Sequence, residues 1–170
     1  MSTREFESLG DFALHLGTLE AGMRHRLRKG LERALVIVES DAKGQIGHYQ
    51  AEAGRFPAWA PLAPSTEAEK ARIGAPADAP LLRTGGMRDS FSHELESDTE
   101  GVVGSTDPTL IYHEFGTSKM PPRPVLGPAV FNNRDRIEKI LGHAIVEGIL
   151  GGEVVPDAGY FGGDIGGNEP

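Results

Sequence analysis

The sequence predicts an α+β fold in which a long N-terminal helix and a C-terminal helix accompany a small antiparallel sheet, with long Pro-rich loops between them. Three observations carry this: an apolar stripe repeating every three or four residues from Phe12 to Val38, an alternating stretch followed by a turn and a return strand over residues 90–105, and a second apolar face over residues 130–149. At 170 residues the chain has the length of one domain with a single core. Residues 1–150 are assigned to that domain and residues 151–170 to a Gly-rich acidic tail.

The first stripe is Phe12, Leu16, Leu19, Met23, Leu27, Leu31, Ala34 and Val38, and it continues through Ala42, Ile46 and Tyr49. Such spacing aligns side chains on one helical face, so a helix of about 35 to 40 residues is expected, capped near Ser8 or Asp11. Its interior glycines, among them Gly17, Gly22, Gly30 and Gly44, each cost about 1 kcal/mol against alanine. Arg24, Arg26, Arg28, Lys29 and Arg33 flank the stripe on both sides, as the snorkelling edges of a packed helix do.

Residues 51–88 read as a long loop insertion, because Pro57, Pro61, Pro64, Pro76 and Pro80 forbid a continuous helix or a central strand. Ser65 to Lys70 can cap and start one or two helical turns within it. Trp59, the only tryptophan, and Leu62 are large apolar groups among prolines and are expected to dock onto something. Ser90 to Leu95 alternates as a half-buried strand, Asp98 to Gly101 supplies a turn, and Gly101 to Ser105 returns. Leu110 to Phe115 fits helix or strand, and Gly116 ends it. Met120 to Pro124 must be extended, and Pro128 suits the first turn of a helix running to Ile149. In the tail, Val154, Val155, Tyr160, Phe161 and Ile165 are spaced for capture by a partner.

Seventeen basic against 25 acidic residues give a net charge of -8, which repels polyphosphate and argues against sequence-specific DNA binding. The absence of cysteine removes disulfides, thiolate metal sites and a cysteine nucleophile. The six histidines show no pair at i, i+4 spacing, and no cofactor or metal is expected. Gly116 to Lys119 matches only the last letters of a phosphate loop. Ser90 or Ser118 with His93 or His113 forms no recognisable catalytic arrangement, so no enzyme is expected. No 18-residue apolar run or signal-peptide pattern occurs, which sets the expectation of synthesis in the cytoplasm without a membrane partner.

Three stretches together resemble the tail-completion proteins of Mu-like and lambdoid phages, a family of virion-morphogenesis proteins of the phage neck. Glu114-Phe115-Gly116-Thr117 and Pro122 to Ala129 are similar to the family's EFGT and PRPFLxPA signature, with Val125 where an aromatic is commoner. Trp59 to Thr66 with Lys70 is similar to its W-x-P-L-x-x-x-T-x-x-K stretch, and Leu82 to Ser90 to its L-x-x-T-G-x-L-x-x-S stretch. The similarity covers about residues 10–150.

The resemblance implies that both long helices pack on the small sheet and that long loops are exchanged between neighbours. It further implies a structural, non-enzymatic subunit of the head-tail junction, in a ring for which six copies are expected, joining the head connector to the tail proteins. DNA would pass through the lumen without sequence-specific binding. A heterologous ring needs protruding arms on one surface and receiving grooves on the other. The interface candidates are Trp59, Leu62, Tyr112, Glu114, Phe115, Arg123 and Pro124, with the Trp59 loop and the Arg123 arm as the protrusions. The alternatives are a tail terminator ring of the same virion and, from another class, a small cytosolic hydrolase.

Overall fold

The structure, a computed structural model, describes residues 5–150. The tail assigned to residues 151–170, with its apolar residues, lies outside the described residues. Element order is α1 (Leu9–Gln45), α2 (Pro64–Arg72), α3 (Gly86–Asp89), β1 (Phe91–Leu95), β2 (Gly101–Ser105), α4 (Leu110–Phe115), α5 (Leu126–Asn132) and α6 (Arg134–Ile149). The α+β class is the one the sequence predicts.

Helix α1 runs 37 residues, about 55 Å, and starts at Ser8, whose hydroxyl oxygen accepts a hydrogen bond from the Asp11 backbone N–H at 3.1 Å. Helix α6 lies antiparallel on it. Glycines allow the close approach: a Cβ on Gly148 would stand 2.7 Å from the Met23 Cα, and one on Gly30 would stand 3.0 Å from the Ala144 Cβ. Arg26 pairs with Glu147 beside this contact, and Arg28 pairs with Asp98 of the hairpin loop. Helix α6 ends opposite Met23, and among the described residues no second helix covers the stripe of α1 beyond it, where Phe6 packs on Phe12, Leu9 is 87% exposed and Phe12 and Leu16 are also exposed.

The hairpin pairs Phe91 with Ser105 and Leu95 with Gly101. It crosses the middle of α1, where Leu35 fills the space a side chain at Gly101 would need, and the Glu39 carboxylate contacts His93 Nδ1. The core gathers Val38, Ala42 and Ile46 of α1 with Trp59, Phe91, Leu110, Val125 and Ala129. Gln45, 3% exposed, places both amide atoms in this region without a hydrogen-bond partner.

Two expectations change. Helix α2 begins at Pro64, with Ala63 as its N-cap, so Ser65 lies inside the helix; proline at the first position needs no N–H and has the right φ. The C-terminal helix divides at Asn133 into α5 and α6, because the Asn133 side-chain amide donates to both Asp41 Oδ2 at 2.7 Å and the Ala129 carbonyl at 2.8 Å. The ambiguous Leu110 to Phe115 stretch is helical, buries Leu110 and ends at Gly116 with φ +72°. A Cβ there would fall 2.9 Å from both the Met120 carbonyl oxygen and the Pro122 nitrogen, so glycine is required.

Candidate functional site

The three stretches set apart in the sequence meet at one junction. Trp59, 5% exposed, donates its indole N–H to the Pro124 carbonyl oxygen at 3.1 Å. Arg123, also 5% exposed, donates from Nη2 to the carbonyls of Ala60 at 2.9 Å and Pro61 at 3.2 Å. Its backbone N–H donates to the His113 carbonyl at 2.6 Å. The Pro-rich loop and the arm are therefore bound to each other and to α4. This corrects the expectation that Trp59 and Arg123 protrude: both side chains are buried, the indole with its N–H satisfied by a carbonyl and the guanidinium with two carbonyl acceptors that offset part of the cost of removing it from water. Pro124 is buried with them.

Glu114 works inward too. Its Oε1 accepts from the backbone N–H groups of Val125 at 2.8 Å and Leu126 at 2.7 Å, supplying the first turn of α5 with the acceptor its own N-cap lacks. Leu62 is half-buried, and its N–H donates to the Tyr49 hydroxyl at 3.1 Å. Tyr112 and Phe115 are the two candidates that face outward. With Ile111 they form an apolar ridge on α4, and Phe115 is 80% exposed. Beside the ridge, Thr117 and Met120 close a two-residue turn with reciprocal backbone hydrogen bonds of 2.9 and 3.2 Å.

Between the α2 segment, the 81–87 loop and the arm lies a cleft of about 690 Å³. Leu81 at its wall has φ +62°, a strained conformation for a branched side chain, held where the flanking Pro80 carbonyl accepts from Gly47 N–H at 2.8 Å. Lys70, buried, donates to the Ala79 carbonyl, and burial lowers its amine pKa against a smaller opposing pull from Asp78. His113 is likewise held below the usual imidazole range, first by burial and then by the Arg123 charge, against a smaller opposing effect of Asp107. Burial and the Arg123 charge therefore both favour the neutral imidazole. Its Nδ1 and the Arg123 Nε are both buried without a hydrogen-bond partner. Asp107 is lowered because it accepts from the Thr109 hydroxyl at 2.6 Å and from the Thr109 N–H at 2.9 Å.

Of the serines and histidines weighed as pairs, Ser90 and His93 are engaged elsewhere: the Ser90 hydroxyl contacts the Met87 carbonyl and the Ser105 hydroxyl at 2.6 Å each, and His93 contacts Glu39. Among the described residues no group of three His, Asp or Glu is placed to hold a metal ion, and no helix is long and apolar enough to cross a membrane. The cleft itself was not legible as such. Lys70 and the 82–90 stretch were marked by motif, but nothing local connects them with His113. Compared with family models, curated proteins and solved structures, this chain finds no match.

Proposed function

We propose that the chain is a structural subunit of a tailed-phage neck, forming a ring at the head-tail junction and docking to the neighbouring connector and tail proteins by shape. The observation that carries this is the ridge of Ile111, Tyr112 and Phe115. Three large apolar side chains, one of them 80% exposed, stand together on a short helix whose backbone is anchored by Leu110, Arg123 and Glu114. A fixed aromatic ridge in water is unfavourable for an isolated subunit and suits an anchor for a pocket on a neighbour. The similarity of Glu114 to Thr117 to the EFGT signature gives that neighbour its class. In a heterologous ring each copy offers its ridge to the next, so the contact closes with no free ridge remaining. A tail terminator ring would use the same geometry one position along the particle.

Phe115→Asp tests the reading. The substituted protein should retain the circular dichroism and melting temperature of the parent, since Phe115 contributes little to the core, while complementation yields heads and tails that fail to join in electron micrographs. Normal particles from Phe115→Asp, and again from Tyr112→Asp, would overturn it.

A further inference from the structure

We propose that the cleft beside Arg123 is a binding site for a carboxylate group carried on an apolar body. This inference stands apart from the ring reading, since it concerns the inner face of the junction and not the α4 ridge.

The cleft is cationic in an acidic chain. Arg123, Lys70 and Lys119 line it, and among the described residues none of them has a carboxylate within 4.0 Å. The acids on the same lining are already used: Glu69 pairs with Arg83 at 2.9 Å, and Asp107 accepts both Thr109 donors. A buried guanidinium without a counter-charge is costly, and its two carbonyl acceptors at Ala60 and Pro61 offset only part of that cost. Its Nε and the neighbouring His113 Nδ1 remain without partners. An anion in the cleft would supply the counter-charge that the guanidinium lacks.

The chemistry selects the anion. Guanidinium and ammonium groups both attract carboxylates, and the buried Arg123 and Lys70 give the wall a positive charge that a carboxylate group offsets. The volume of about 690 Å³ far exceeds a carboxylate, and Leu62, Leu81, Leu82, Met87, Met120 and Pro121 supply the apolar remainder of the lining. A small apolar acid satisfies this, as does an acidic side chain among apolar neighbours on a second copy.

The test is a titration of the full chain with sodium hexanoate, acetate and hexanol at constant ionic strength, following the His113 ring resonances. Hexanoate should bind saturably, raise the His113 pKa by about one unit because the anion offsets Arg123, and bind at least about tenfold tighter than acetate through its extra methylenes. Hexanol should leave that pKa unchanged. Arg123→Gln should abolish the response, and Lys119→Gln, at an exposed position, should weaken it about two- to fivefold without loss of stability. If Arg123→Gln does not fold, Lys119→Gln decides. Absence of saturation, an equal response to hexanol, or hexanoate affinity untouched by Lys119→Gln would overturn the proposal. With binding established, dispersal of self-associated protein by excess hexanoate identifies a second copy as the carboxylate source, and persistence identifies a free acid.

Discussion

The Trp59 indole and the Pro124 carbonyl oxygen, 65 residues apart in the chain, are joined by a buried hydrogen bond of 3.1 Å. Trp59→Phe keeps most of the packing and removes the donor, so it should cost about 1–2 kcal/mol in urea unfolding. Trp59→Ala adds a cavity and should cost about 3–5 kcal/mol. Equal losses for the two variants would show that the indole contributes only volume.

Glu114 is the side-chain acceptor for two N–H groups at the start of α5. Glu114→Ala leaves both without it and should cost about 1–2 kcal/mol. Glu114→Gln retains an acceptor oxygen and should recover part of the loss. Chemical denaturation of both variants compares them directly.

The Glu39 carboxylate is held below its ordinary value first by the hydrogen bond from His93 and then by that from Lys43, against a smaller effect of burial. A carboxyl group with a depressed folded pKa contributes stability that is complete above its unfolded pKa, near 4.5, and is lost as pH falls through the folded value. The urea midpoint should therefore decline below about pH 4.5. Glu39→Gln should lower the midpoint at pH 7 and make the acid decline shallower, with the remaining slope drawn in part from Asp107.

Two glycines of α6 should respond in opposite directions. Gly142 has open space where a Cβ would go, so Gly142→Ala should stabilise by about 1 kcal/mol through helix propensity. Gly148→Ala places its methyl 2.7 Å from the Met23 Cα and must push α1 and α6 apart, at about 1–3 kcal/mol, which exceeds the same propensity gain. Thermal melts of the pair read out the sign.

The long helix, the hairpin and the existence of a C-terminal helix were legible because each rests on local periodicity that packing then reinforced. Leu110 to Phe115 was not, since six residues fit either period; burial of Leu110 and the tie from Arg123 N–H to the His113 carbonyl accompany the helical outcome. The break at Asn133 depends in part on Asp41, 92 residues away, which no window around Asn133 contains. The expectation that Trp59 and Arg123 protrude comes from the exchanged loops and the heterologous ring that the resemblance implies, which ask for arms. The partners of both side chains are backbone carbonyls, which every residue carries and no sequence pattern marks. The same blindness hid the cleft, whose walls come from four separate parts of the chain.

Because α1 outruns α6, one continuous helix passes through two regimes. From Met23 onward its hydrogen bonds are guarded by α6, the hairpin and the core, and they open only when that packing opens. Among the described residues, the turns before Met23, which include Gly10, Gly17 and Gly22, are held by local propensity, the Ser8 cap and the Phe6 ring against Phe12 and His15. Amide exchange should accordingly fall along α1 as a gradient, fast over residues 9–22 and orders of magnitude slower over residues 30–45, with a step at the point where α6 comes to its end.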